Sequence, residues 1–338
     1  MSQTKRMNGR FLSVTLPGIV MVVMVTFFLL SNQNGYWTSV LYSTGTLSAP
    51  PFKQTPRKQL KSDNIPFLIQ QREIQESRRR HLKSACLKYN IPQSDVISNP
   101  PWNLYLDTNH KLLYCNIPKV ACTSWKRVIL VLTGVMKHTD DMEQRVVNRY
   151  GRSQLTSLSK IPFKDRQEVL DTYTKFMFAR HPFSRVLSAF NNKINPNTTD
   201  SKTVWTQRQQ LIASIEGEEQ GPTFIKFLRY ILGMTPDEDD RHWSTATNMC
   251  LPCDIDYDVI GKFETLSDDA NYILKLANVD HLVEFPSAKG SSPTNSSKKD
   301  TLQMQFDGIP LNIVHNLYEK YILDFRLFNY SIPKLNFF

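Results

Sequence analysis

The sequence lacks the glycine-rich loop by which many nucleotide-binding enzymes hold phosphate. It contains 12 glycines, and none of them stands in a G-x-x-x-x-G-K-[ST] pattern, whose backbone amides would surround the phosphates of a nucleotide. This absence argues against an ordinary nucleotide kinase. An internal repeat is absent as well.

Cysteine is scarce, and its spacing argues against two kinds of site. Cys250-x-x-Cys253 has the spacing of half a zinc site, but no second pair completes it. A redox dithiol would stand in a thioredoxin-like βαβ context, which is missing. We therefore expect a structural disulfide, with one member joined to Cys86, and a buried thiol at Cys115. Five cysteines in an oxidising compartment leave at least one free or paired between chains.

Charge is absent from Phe11 to Leu30, a run of 20 residues that is long enough to cross a bilayer as a helix. A cleaved signal peptide is the alternative, but no small-x-small cleavage site follows closely. Residues 1–10 hold three basic side chains and no acidic one, which predicts a cytosolic tail. We expect a transmembrane signal anchor at 11–30, with the rest of the chain in the lumen. Three glycosylation sequons agree with that side of the membrane: Asn197, Asn295 and Asn329.

Residues 31–84 lack sustained apolar periodicity and contain four prolines, which predicts a lumenal stem before one large domain at 85–338. Within this segment, Arg78-Arg79-Arg80 has two interpretations: a basic patch for a sulfated glycan, or a solvated helix that leads into the domain. We favour the helix. The formal charge of the whole chain is +10. A positive excess suits an anionic cofactor and a polyanionic substrate, although nucleic acid would fit it too.

The most informative stretch joins a short apolar run, Leu112 to Cys115, to a segment with helical periodicity that ends near Gly134. Between them lie Pro118, Lys119 and a series of small or hydroxyl residues. This pattern predicts a strand, a tight turn and a helix. Exposed backbone amides and the positive end of the helix dipole make such a turn an anion site. Lys119 adds a charge there, and the hydroxyls of Thr123 and Ser124 add donors.

A second stretch has the same form. Residues 175–180 predict a buried strand, and residues 182–193 predict a helix opened by an early proline. Arg180 at the end of the strand and Ser188 in the helix are placed to converge on a second phosphate. The alternation predicts an α/β fold with a parallel sheet and helices on both faces. The polar residues 135–170 are either a lid or an acceptor-side insertion.

Four more helices and one strand are expected farther along the chain. The helices are predicted at 203–219, 224–232, 268–277 and 309–325, and a buried strand at 257–263.

The two motifs at 118–126 and 180–190 closely resemble the 5′-phosphosulfate and 3′-phosphate elements of sulfotransferases that use 3′-phosphoadenosine-5′-phosphosulfate. Their form is similar to that of Golgi carbohydrate sulfotransferases of the chondroitin and dermatan 4-O type. The likeness continues through His242-Trp243, the Cys250 and Cys253 pair, residues 257–266 and residues 324–331, and it covers most of 105–338.

This resemblance implies a P-loop-like sulfotransferase fold, with a central parallel sheet flanked by helices. It implies 3′-phosphoadenosine-5′-phosphosulfate as the donor, with no metal and no nucleic-acid partner. It also implies a single-pass type II protein of the Golgi membrane whose substrate is a glycan. The donor-binding residues that it indicates are Pro118, Lys119, Val120, Ala121, Cys122, Thr123, Ser124, Trp125, Lys126, Arg180 and Ser188.

Lys119 and His242 are the expected catalytic residues. A fixed cation at Lys119 would stabilise charge that grows on the leaving phosphate. His242 is the candidate general base, and Glu264 is its competitor. Arg185 is expected to be structural, and His181 to cap the second helix. The expected acceptor is the 4-position of N-acetylgalactosamine in chondroitin or dermatan. A sulfotransferase for another glycan, a lumenal glycan kinase and a non-catalytic glycan-binding protein remain open alternatives.

Overall fold

A computed structural model of the chain describes residues 65–197, 206–216, 220–286 and 299–333. The predicted membrane anchor, most of the predicted stem and Asn295 lie outside these residues. Within the described ranges, no helix is long and apolar enough to span a bilayer.

Five strands form one sheet in the order β3-β1-β2-β4-β5. They are β1 (Leu104–Asp107), β2 (Leu112–Cys115), β3 (Thr156–Ser157), β4 (Thr174–Ala179) and β5 (Val259–Lys262). β2, β4 and β5 are parallel, with Cys115 opposite Met177 and Met177 opposite Ile260. β1 pairs antiparallel with both β2 and β3. The expectation of a parallel sheet is therefore correct for three strands and wrong for the sheet, which is mixed. The connection from β1 to β2 is too short for a parallel crossover.

The parallel strands are buried along nearly their whole length, as their continuous apolar sequences predict. One position in β5 tolerates no side chain. A Cβ atom on Gly261 would lie 2.3 Å from the Phe178 ring of the neighbouring strand. The close packing of β4 against β5 therefore depends on this glycine.

Thirteen α-helices, which range from 3 to 24 residues, accompany the sheet in the described part of the chain. They are α1 (Ile65–Lys88), α2 (Cys122–Leu132), α3 (Gln144–Val146), α4 (Arg152–Gln154), α5 (Arg166–Thr172), α6 (Pro182–Ala189), α7 (Thr206–Ala213), α8 (Phe224–Leu232), α9 (Ala246–Cys250), α10 (Leu266–Leu276), α11 (Lys299–Phe306), α12 (Leu311–Lys320) and α13 (Ile322–Leu327).

Several predicted helices are confirmed, and one is divided. α8 has the predicted bounds, and α2 is followed by Gly134 with a φ of 76°, as a helix C-terminus favours. The helix expected over 309–325 is broken at Tyr321. The buried hydroxyl of Tyr321 donates a hydrogen bond to the carbonyl of Trp243, and this contact lies between α12 and α13.

Helix α1 belongs to the folded domain, although most of its sequence falls within the predicted stem. Gln75 accepts the backbone N–H of Ile260 in β5, and its amide donates to Asp269 in α10. Arg78 forms a 2.8 Å ion pair with the buried carboxylate of Asp269. The helix hypothesis for this segment is confirmed, but Arg78 is not solvated, because its charge is paired inside the domain.

Two disulfides connect distant parts of the chain. Cys86 is bonded to Cys253, as expected for one member of the pair, with the Cα atoms 5.6 Å apart. Cys115 is bonded to Cys250, so the expectation of a thiol at Cys115 is wrong. This second bond joins the end of β2 to α9. Cys122 is the remaining free cysteine.

Candidate active site

The turn after β2 has the backbone of an anion-binding site. Lys119 and Ala121 have φ values of 72° and 64°, and Val120 between them has negative φ. Alternation of this kind turns successive N–H groups toward one point, as in backbone nests. Each left-handed residue other than glycine costs roughly 1–2 kcal/mol, so the surrounding structure has to hold the turn. Helix α2 begins directly after it, at Cys122.

Two arginines from the second βα unit hold the turn in place. Arg180, which follows β4, donates to the carbonyl of Lys119 at 2.8 Å. Arg185 in α6 donates to the carbonyl of Pro118 at 3.0 Å. The side chain of Val120, in the middle of the turn, is fully buried and anchors the turn in the core. The two sequence motifs are therefore in direct contact.

The Lys119 amine reaches across to the second unit, where it donates to the side-chain oxygen of Asn192 at 2.9 Å. Asn192 lies in the π-turn Phe190–Ile194 that continues α6. The sequence did not indicate this residue, although it stands four positions after Ser188. Ser188 is buried in α6. Its convergence with Arg180 on one phosphate stays a prediction.

Lys126 and Thr123, on the first turns of α2, share a second partner that the sequence did not indicate. Both donate to the side-chain oxygen of Asn148, which lies in the π-turn Val147–Gly151. Burial lowers the pKa of Lys126. No carboxylate of the described ranges forms an ion pair with its amine. An anion at the turn would therefore compensate a buried positive charge.

The other predicted residues of α2 differ in position. Ser124 is partly exposed near the turn. Trp125 is fully buried, and its ring lies 4.5 Å from Phe176 and 5.1 Å from Phe285 between centroids. Trp125 therefore packs beneath the turn as part of the core.

Arg180 is almost fully buried at the end of β4. Its guanidinium lies 4.1 Å from the ring centroid of Phe263. Burial lowers the pKa of Arg180 to about 10, and the nearby carboxylate of Glu264 opposes this effect. Next to Phe263 is a cavity of about 660 Å³, which is large enough for a nucleoside. Phe263, Glu264, Asn271 and Phe285 are among its lining residues.

Glu264, the competing base, is occupied by structural contacts. It accepts the backbone N–H of His181 at 3.0 Å and the hydroxyl of Tyr330 at 2.8 Å. His181 is the N-cap residue of α6, as expected, and its ring bonds the carbonyl of Ser331. These contacts hold the C-terminal segment against the start of α6.

His242 belongs to a chain of three charged or titratable groups. Its Nδ1 lies 2.6 Å from Oδ1 of Asp240, and Arg208 of α7 donates to Oδ2 of the same carboxylate at 3.0 Å. A carboxylate can only accept, so the neutral ring carries its proton on Nδ1 and Nε2 is the basic nitrogen. Burial lowers the pKa of His242 to about 4, although Asp240 acts in the opposite direction. At neutral pH the ring is therefore uncharged, as a general base has to be.

Asp240 itself stays ionised. Burial works against its charge, but the hydrogen bonds from His242 and Arg208 hold its pKa well below the usual range. The sequence marked Asp240 only as part of an acidic turn. Its position two residues before the candidate base His242 could have indicated that Asp240 is the partner of that base.

Arg185 connects the His242 segment to the turn. Besides Pro118, its guanidinium binds the carbonyls of Ser244 at 2.6 Å and Arg241 at 3.2 Å, on either side of His242. Arg185 is buried, so its expected structural role is confirmed. Through this residue, the candidate base and the anion-binding turn are held to one another.

Comparison with known proteins gives a consistent result. The model of the sulfotransferase family matches residues 102–331. Carbohydrate sulfotransferase 11 of Rattus norvegicus is 34% identical over 285 residues, which cover 81% of this chain and 79% of the relative. Carbohydrate sulfotransferase 14 of Danio rerio is 33% identical, with 78% and 74% covered. Carbohydrate sulfotransferase 8 of Homo sapiens is 34% identical, with 77% and 63% covered. No solved structure matches the chain significantly.

Proposed function

The chain belongs to the sulfotransferase family and is an enzyme, and from that premise we propose that it sulfates N-acetylgalactosamine in chondroitin or dermatan at the 4-position. The donor is 3′-phosphoadenosine-5′-phosphosulfate. The observation that carries the proposal is the bonding of Arg185, which joins the turn at Pro118 to the backbone on both sides of His242. These contacts support a general base that acts next to an anion site.

The residues of the site fit such a donor. The sulfate donor supplies the sulfuryl group. The chain supplies hydrogen-bond donors and positive charge on both sides of the nucleotide. The turn amides, Lys119 and Lys126 hold the 5′-phosphosulfate, and Arg180 with Ser188 holds the 3′-phosphate. The cavity beside Phe263 takes the adenosine. Lys126 and Arg180 are buried cations whose pKa is lowered by burial, and both gain from an anion.

Two side chains act on the reacting groups. Lys119 stabilises the charge that grows on the bridging oxygen of the leaving phosphate, so its effect is larger in the transition state than in the ground state. His242 takes the proton of the acceptor hydroxyl on Nε2. Asp240 holds the ring in the required tautomer and stabilises its protonated form.

The location is part of the proposal. We infer a single-pass type II protein of the Golgi membrane with its catalytic domain in the lumen. The two disulfides support this, since such bonds persist in oxidising compartments. The charge-free run at 11–30 and the basic residues before it provide the anchor and its orientation.

A direct test uses the full-length protein with radiolabelled sulfate donor. Desulfated chondroitin, dermatan and heparan are offered separately, and the products are digested to disaccharides to locate the new sulfate. We expect label on the 4-position of N-acetylgalactosamine, with Lys119→Ala as the inactive control. Absence of label on every glycan, or binding of ATP as tight as that of adenosine 3′,5′-bisphosphate, would contradict the proposal.

A further inference from the structure

An exposed tryptophan lies close to two arginines at the edge of the site. Trp102 is 43% exposed and lies two residues before the start of β1. The guanidinium of Arg152 lies 4.7 Å from its ring centroid, and that of Arg241 lies 5.9 Å away. The three residues come from three distant parts of the chain. We call them the Trp102 platform.

The platform lies beside the anion-binding turn. The residue after Trp102, Asn103, bonds the carbonyl of Asn116 at 3.1 Å, and Asn116 is the first residue of the turn after β2. On the other side, Arg241 is the neighbour of His242 in the chain, at about 3.8 Å between Cα atoms. The platform is therefore joined by adjacent residues to both the turn and the candidate base.

Positive charge is concentrated at the platform. In the parts of the chain that the structure describes, no carboxylate forms an ion pair with Arg152 or Arg241. Arg152 has one neutral partner, the Tyr105 hydroxyl, at 3.1 Å. Burial lowers the pKa of Lys126 most; Cys122 opposes this effect, and the charges of Arg241, Arg152 and Lys193 lower the pKa further. Like charges held close together without a counter-charge favour the binding of an anion.

We propose that the Trp102 platform is an acceptor subsite that binds an acidic sugar next to the one sulfated. The exposed part of the indole offers apolar surface to the pyranose ring, and the two arginines bind its carboxylate, for which their planar groups are suited. This proposal rests on the proposed function and extends it. It states that the enzyme selects a glycan containing uronic acid over a neutral one.

The test compares two acceptors that differ only in charge: desulfated chondroitin and the same polymer with its carboxyl groups reduced to alcohols. For the wild type, we expect the KM of the reduced acceptor to be at least about tenfold higher, since hydrogen bonds to a charged group contribute that much. Arg241→Ala should raise the KM of the acidic acceptor about tenfold and leave that of the reduced acceptor unchanged. The affinity for adenosine 3′,5′-bisphosphate should not change.

Two further variants separate charge from packing. Trp102→Ala should raise the KM for both acceptors, because apolar contact with the indole does not depend on the carboxylate. Arg80→Ala removes an exposed arginine from α1, and it is the matched control in which both KM values should remain at the wild-type level. An unchanged preference for the acidic acceptor in Arg241→Ala would overturn the subsite, as would equal KM values of the two acceptors in the wild type.

Binding measurements distinguish failure of this proposal from failure of the proposed function. Oligosaccharides of both acceptors are titrated by calorimetry into the wild type and Arg241→Ala. If neither acceptor is sulfated, the proposed function fails. Binding that prefers the acidic oligosaccharide and is weakened by Arg241→Ala would then still support the subsite, while binding without that preference would refute it.

Discussion

Replacement of His242 by alanine is the sharpest test of the proposed chemistry. A general base typically contributes about 100-fold to 10,000-fold to the rate, so His242→Ala should lose most turnover. Donor binding should remain, because the proposed donor contacts come from the turn at 118–126 and from Arg180 and Ser188. Asp240→Asn should reduce turnover less than His242→Ala, because the ring stays but its charged partner is lost.

The pH dependence follows from the environment of the ring. Burial lowers the pKa of His242 from 6.5 to about 4, which corresponds to about 3 kcal/mol at about 1.4 kcal/mol per pKa unit. The base is therefore neutral above about pH 5, and kcat should be flat from there to pH 8 and fall only toward pH 4. The same effect acts on stability. Between about pH 4 and 6.5 the unfolded chain binds the proton that the folded ring rejects, so stability decreases as the pH is lowered through this window.

The assay measures kcat from pH 4 to 8 with saturating donor and acceptor. Calorimetry with adenosine 3′,5′-bisphosphate and circular dichroism on the same preparations control for donor binding and folding. A carboxylate base would give a similar fall of kcat at low pH, so Glu264→Gln is needed as a comparison. Glu264→Gln should retain more turnover than His242→Ala. Full activity in His242→Ala, or donor binding lost in proportion to turnover, would refute the assignment. A fall of kcat centred near pH 6.5 would refute it as well.

Three other outcomes are expected. Arg180→Ala should weaken binding of adenosine 3′,5′-bisphosphate by about 10-fold to 100-fold, whereas Lys119→Ala should lower kcat more than it lowers the affinity for the bisphosphate. Affinity is measured by calorimetry and kcat by a turnover assay, and equal effects of the two substitutions would argue against separate roles. Cys250→Ala breaks the bond to Cys115 and should lower the free energy of unfolding by about 2–5 kcal/mol in urea denaturation; unchanged stability would contradict a structural role for that bond. Treatment of the expressed protein with glycosidase should increase its mobility on a gel, and absence of glycan at all three sequons would count against a lumenal domain.

The fold could be predicted wherever local sequence carried the signal. The apolar runs of β2 and β4 and the helices that follow them were recognisable because each unit is contiguous and its turn chemistry is local. The strands β1 and β3 were missed. β3 has only two residues, which is too short for any pattern to stand out. β1 is as long as β2, but no helix follows it to form a contiguous unit, and the antiparallel pairing of both strands depends on the neighbours that they find in the sheet.

The candidate site, too, could be predicted only in part. The sequence by itself determined the types of group that carry the chemistry: Lys119 after a proline, Arg180 at a strand end, and a histidine. Only the tertiary structure decided their partners. Lys119 meets Asn192 across 73 positions of the chain, and Cys115 meets Cys250 across 135. Contacts at such separations leave no periodic trace in the sequence, because they form only when the packed sheet and helices bring the segments together.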